Sequence, residues 1–156
     1  MTADLILPLA MRWIHILCAI IVVGSILTYR FAVLPAAKQA FDGEMPETFR
    51  YALMKRWKLL LHPPIVFFLI SGFYYYLSIS RHLHDDQPLY HMLFGIKFLL
   101  ALAVFALYLA LTSTMKWSEA IRAKDSLWAL LVLLVLVIVG IAGVMKTLPI
   151  NPLTGE

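Results

Sequence analysis

The chain has 156 residues, 62% of them hydrophobic and 14% charged, with a formal net charge of +4. Soluble domains run nearer half apolar and a quarter charged, so this balance, with a mean hydropathy of +0.86, excludes an ordinary soluble globule and points to an integral membrane protein. The pI near 9.3 does not argue for nucleic acid, because the cations sit in short linkers between apolar runs, where they set topology.

The first apolar run spans residues 10–34. It does not read as a secretion signal: Asp4 precedes it, no basic region leads it, and it is too long. Its opening, MRWIHILCAI, carries a histidine. At 3.6 residues per turn, Met11, His15, Cys18, Val22, Ile26 and Tyr29 share one stripe. Linker 37–58 follows, with Lys38, Arg50, Lys55, Arg56 and Lys58. Within it, MPETFRYALMKRWKLLL sets Pro46 and Glu47 before an amphipathic pattern. This predicts an interfacial helix that bends into span two at His62-Pro63-Pro64, where two prolines remove two backbone donors.

Span two covers 59–79 and ends in Tyr74, Tyr75 and Tyr76, an expected interfacial belt. Linker 80–90 has Arg81 as its one Lys or Arg. Its surroundings, SRHLHDDQPLYH, read as a solvated loop, although His82, His84, Asp85, Asp86 and His91 are also divalent-metal donors. Span three, 92–112, contains Lys97 on a stripe with Tyr90, Ala101 and Tyr108. After the basic linker 113–126 comes span four, 127–149, where Gly140 and Gly143 make a small face for a neighbouring helix or a flat cofactor.

Each run is near the ~20 residues that a crossing needs, and backbone polar groups in lipid must be satisfied within a helix. The expected fold is therefore all-α: a single-domain, multi-pass four-helix membrane bundle. Basic linkers one and three are expected to face the cytoplasm, with both termini outside and the chain in a cell inner membrane. Trp13, Trp57 and Tyr90 are expected interfacial anchors.

Ionisable residues inside a membrane are costly and mark function or a specific partner. His15 and Lys97 fall at similar depth below the outer surface, and His91 lies shallower by about 9 Å at 1.5 Å per residue. His62 approaches from the opposite side. His15 can be a neutral, hydrogen-bonded helix-contact residue or a ligand to a metal or haem iron. Lys97 can be a snorkelling cation, an anion partner or, deprotonated, an axial ligand. Cys18 reads first as a small apolar filler.

These residues admit two cofactors, or none. Haem b needs an axial base (His15), space (Gly140, Gly143), aromatic walls such as Tyr90, and cations for its propionates (Arg12, Arg81, Lys146). Lys97 is the first candidate for the second axial position and His91 the next. The chain has no C-x-x-C-H, which excludes covalent c-type haem. Copper is the alternative, held by Met11, His15 and Cys18, with His91 and Met92 as further donors. The third possibility is a structural subunit without cofactor. A redox role implies a quinone or redox-protein partner, and the small-residue faces permit a homodimer.

The motifs RWIHIL early in span one, YRFAVLP at its exit and HMLFGIKFLLAL in span three resemble two related families. These are the HemJ-type protoporphyrinogen oxidases and the CopD-type copper-resistance membrane proteins. The HemJ resemblance implies haem b binding and oxidoreductase activity, with roles for His15 and Lys97. The stretch AIIVVGSILTYR lacks the tryptophan usual in that family, and His62-Pro-Pro is more CopD-like, so haem binding carries over better than oxidase activity.

Overall fold

The computed structural model describes residues 3–84, 87–113 and 125–148, and all regular structure among them is helical. Helix α1 (Ala3–Thr28) runs through a π-helical turn (Tyr29–Val33) into α2 (Leu34–Ala40). Helix α3 (Glu47–Tyr75) runs through a second π turn (Tyr76–Ser80) into the short α4 (Arg81–Leu83). Helices α5 (Pro88–Thr112) and α6 (Asp125–Thr147) complete the bundle. Pro88 opens α5 at a position where its missing N–H would lack a helical partner anyway.

Four helical segments are long and apolar enough to cross a membrane: Ile6–Ala40, Glu47–Ser80, Pro88–Thr112 and Ser126–Thr147. Their outer faces are covered with exposed large apolar side chains, including Ile20, Leu59, Phe67, Leu99 and Leu133. Such a surface requires lipid rather than water. At 1.5 Å per residue the first two segments are about 50 Å long, so both extend past a hydrocarbon layer of ~30 Å. The start of α1, the end of α3, the start of α5 and the end of α6 share one end of the bundle, where residues of all four line one cavity.

The bundle is assembled as two tight pairs, α1 against α3 and α5 against α6, joined more loosely through α1–α6 and α3–α5 contacts. The half nearer the long linkers is filled by aromatic side chains. Tyr29 stacks on Trp128 at 4.0 Å, Trp57 meets Tyr29 edge-on at 5.9 Å, and Tyr108 meets Trp128 edge-on at 6.3 Å. Ile26, Met54, Leu61 and Leu131 pack around this plug. Trp57, expected as an interfacial anchor, instead turns its ring into the bundle, with its indole nitrogen buried.

The bend expected at His62-Pro63-Pro64 does not break the helix: α3 is continuous from Glu47 to Tyr75. The separate interfacial helix is thus the leading part of one long helix. Leu61 and Ile65, on either side of the prolines, are buried, while His62 and Pro63 are exposed. The carbonyls deprived of donors belong to Leu59 and Leu60, which are 81% and 66% exposed, so the lost bonds fall on the outer face. If packing and not the prolines sets this path, replacing both Pro63 and Pro64 with Ala will retain the fold and leave the melting temperature in detergent equal or higher. A fall of more than about 5 °C, roughly 1 kcal/mol or more, would show that the prolines shape a bend the packing needs.

Candidate functional site

On α1, His15 is tied to α3 through its side chain. Its Nδ1 lies 3.1 Å from the Phe68 carbonyl oxygen and 3.2 Å from Ser71 Oγ. A carbonyl only accepts, so Nδ1 carries the proton and donates it to α3. The Ser71 hydroxyl donates back to the Phe67 carbonyl at 2.6 Å, which leaves its oxygen able to accept as well. These bonds fix the tautomer and leave Nε2 with its lone pair. The imidazole also stacks on the Phe68 ring at 4.1 Å, with an interplanar angle of 19°.

This approach requires Gly72. A Cβ there would stand 2.7 Å from His15 Cε1 and 3.1 Å from Nδ1, closer than a side chain tolerates. Neither Gly72 nor Ser71 stands out in the sequence as a site residue. The one local signal is the pair of small residues in LISGFYYY, which marks a close helix approach but does not say what approaches.

His15 lines a cavity of about 540 Å³ that all four long helices wall. Arg12 and His15 come from α1, Phe68 and Phe73 from α3, Tyr90 and Lys97 from α5, and Ala142 and Lys146 from α6. The expected group Arg12, His15, Tyr90 and Lys97 is therefore brought together, with Lys146. Lys97 is half-buried and stands within electrostatic reach of His15. Among the described lining residues there are three Lys or Arg side chains and no carboxylate.

Other expected residues stand apart. Gly140 and Gly143 lie on the outer face of α6, with open space within 4 Å of where a side-chain carbon would stand, so they do not admit a ligand to this cavity. The adjoining Ala142 does line it. Met11 and Cys18 are not among its lining residues, and Cys18 is buried elsewhere along the stripe. Arg81 is exposed and outside the lining. No cluster of three or more His, Cys, Asp or Glu suited to a metal ion occurs among the described residues.

The expected tyrosine belt contributes to the wall instead. Tyr75 and Tyr76 both line the cavity. Tyr76 starts the second π turn, whose Arg81 N–H reaches back five residues to the Tyr76 carbonyl. The wider turn alters the phase of every later residue, which a 3.6-residue count cannot anticipate. Tyr76 stacks on Phe94 at 3.5 Å and shares a 2.9 Å hydrogen bond with Nδ1 of His91. His91 thus sits behind the wall rather than in it. His84, expected in a solvated loop, is buried and lines the cavity. Its Nδ1 donates to the Ser80 carbonyl at 3.0 Å, and its ring stacks on Tyr90 at 3.8 Å.

Compared with family models, curated proteins and solved structures, the chain matches none.

Gly72→Ala forces the imidazole off Phe68 and Ser71, so it will lower stability by about 1–3 kcal/mol, the usual cost of overpacking. Ser71→Ala, which removes one hydroxyl, will cost only about 1 kcal/mol. Reversible unfolding in mixed detergent measures both, and a neutral Gly72→Ala would show that His15 is free to move.

Proposed function

We propose that this chain is a haem b-binding membrane protein with a redox role, either electron transfer or HemJ-like porphyrinogen oxidation, and that His15 is an axial ligand. The observation that carries the reading is the contact of His15 Nδ1 with the Phe68 carbonyl. With Nδ1 committed there, the unprotonated nitrogen is Nε2, in a side chain that lines a large cavity. A backbone carbonyl on the far nitrogen is the arrangement that orients a ligating histidine and raises its basicity.

The rest of the wall suits a flat, anionic, amphiphilic group. Phe68, Phe73, Tyr76, Tyr90, Phe94 and Phe98 offer ring faces and edges, and the volume lies within the ~300–1,000 Å³ usual for cofactor sites. Arg12 and Lys146, both exposed, would pair with propionates near the opening, while Lys97, set deeper, is the first candidate for the second axial position once deprotonated. His91 is a weaker candidate because Tyr76 occupies its Nδ1. Haem iron would supply one-electron chemistry; the chain would hold and orient it, and the apolar wall would exclude water. The HemJ and CopD resemblances support a membrane redox or metal role. The basic linkers support a cytoplasmic face for linkers one and three in an inner membrane, with a quinone or redox protein as electron partner.

The copper alternative, built on Met11, His15 and Cys18, has less behind it, since only His15 of the three lines the cavity. Protein made under haem-replete conditions will show a Soret band that shifts on reduction. His15→Ala will lower haem occupancy by about tenfold or more, the scale of losing a metal ligand or its support. Lys97→Met will keep haem but shift the spectrum. Absence of the band, or an unchanged spectrum in His15→Ala, overturns the reading; copper without haem in metal analysis favours the alternative.

A further inference from the structure

A second cavity, of about 300 Å³, opens at the opposite end of the bundle, beside the turn that joins α2 to α3. Two cations from different elements line it: Lys38 in the last turn of α2 and Arg50 in the first turn of α3. They converge because the chain reverses sharply between them. Asp42 has φ +49° and Gly43 has φ +131°, and the Gly43 N–H closes the turn on the Lys38 carbonyl at 2.9 Å. At Gly43 any other residue would be strained. The floor is apolar: the Tyr29–Trp128 stack, with buried Met45 and Met54. Among the described lining residues Lys38 and Arg50 are the cations, and the one carboxylate, Glu44, is exposed.

The position matters as much as the charge. Both long helical segments outrun the hydrocarbon thickness, so a cavity at their turn lies near the polar interface. On the chain segments that flank it, Phe41 and Phe49 form a pair at 5.3 Å with exposures of 38% and 46%. A ligand here meets cations inside, an aromatic and thioether floor, and apolar side chains facing the bilayer.

We infer that this cavity binds the phosphate-bearing headgroup of an anionic phospholipid, with the phosphate between Lys38 and Arg50 and the acyl chains along Phe41 and Phe49. Guanidinium–phosphate pairing is the strong, directional contact in this set, and basic pockets between membrane helices are recurrent headgroup sites. Nothing in this site requires haem.

Native mass spectrometry of the full chain, released from detergent with equal phosphatidylglycerol and phosphatidylcholine, tests it. Wild type is expected to retain phosphatidylglycerol preferentially, by about fivefold or more, and Arg50→Gln and Lys38→Gln are each expected to lose about that factor, the worth of one cation near an anionic headgroup. Arg50→Lys is expected to restore part of the preference. Lys55→Gln, an exposed cation on α3 outside the cavity, is expected to leave it unchanged. Equal retention of the two lipids overturns the inference, as does an equal loss in Lys55→Gln, which would indicate diffuse charge. Displacement of the lipid by millimolar inorganic phosphate overturns it in favour of a free-phosphate site. The Soret readout of His15 keeps a failure here separate from a failure of the haem reading.

Discussion

The contact between His15 and the Phe68–Gly72 turn of α3 is the one on which the rest of the site depends. In lipid, apolar helices gain little by hiding from their surroundings, so association rests on close packing and cross-helix hydrogen bonds. This contact supplies both. Nδ1 donates to a carbonyl of α3, the ring lies flat on Phe68, and Gly72 removes the atom that would keep the two helices apart. It also consumes the hydrogen-bonding capacity of one ring nitrogen, so the chemistry of the other is decided by architecture rather than by solvent.

From that seam the two halves of the bundle diverge. Toward the long linkers, Tyr29, Trp57, Tyr108 and Trp128 fill the space between the helix pairs. Toward the termini, the pairs are separated by the 540 Å³ cavity. A π turn adjoins each region, and each begins with a tyrosine that lines the neighbouring cavity: Tyr29 at the smaller one and Tyr76 at the larger. In both, an N–H reaches five residues back, Leu34 to Tyr29 and Arg81 to Tyr76. The extra residue lets one helix present a wall at one level and keep its packing face at the next.

What a sequence can reveal follows from which features are local. Four long apolar runs need no tertiary knowledge to be read as helices, and neither does the level shared by His15 and Lys97, since both are counted from the same end at a fixed rise. Gly72 is not legible, because its role exists only when a second helix brings an imidazole against it. Gly140 and Gly143 mislead for the converse reason: small residues permit close approach, but which side of α6 meets the bundle is decided by Trp128, Leu131 and Val135, which are buried on another face. His84 belongs to a polar, histidine-rich loop by composition. Its burial comes from the bond to the Ser80 carbonyl one turn back and from the face of Tyr90, neither of which composition reveals. The prolines of α3 suggest a helix break by local preference, yet the helix runs on through them, with Leu61 and Ile65 buried on either side.

Charge separates the readings of the larger cavity. Arg12, Lys97 and Lys146 line it, and the described lining residues supply no carboxylate in return. Arg12 and Lys146 reach the surface and can be screened there, but Lys97 is half-buried and has no ion pair among the described residues. A cation held in a low-dielectric wall is costly unless something brings the opposite charge or the amine gives up its proton. A bare copper ion would add charge of the same sign beside it. A flat group bearing carboxylates would offset the cations near the opening, and an iron accepting the Lys97 amine would remove the remaining charge altogether. The residues that make this cavity unfavourable as an empty apolar pocket are the same ones that would make it selective for an anionic tetrapyrrole over a metal cation.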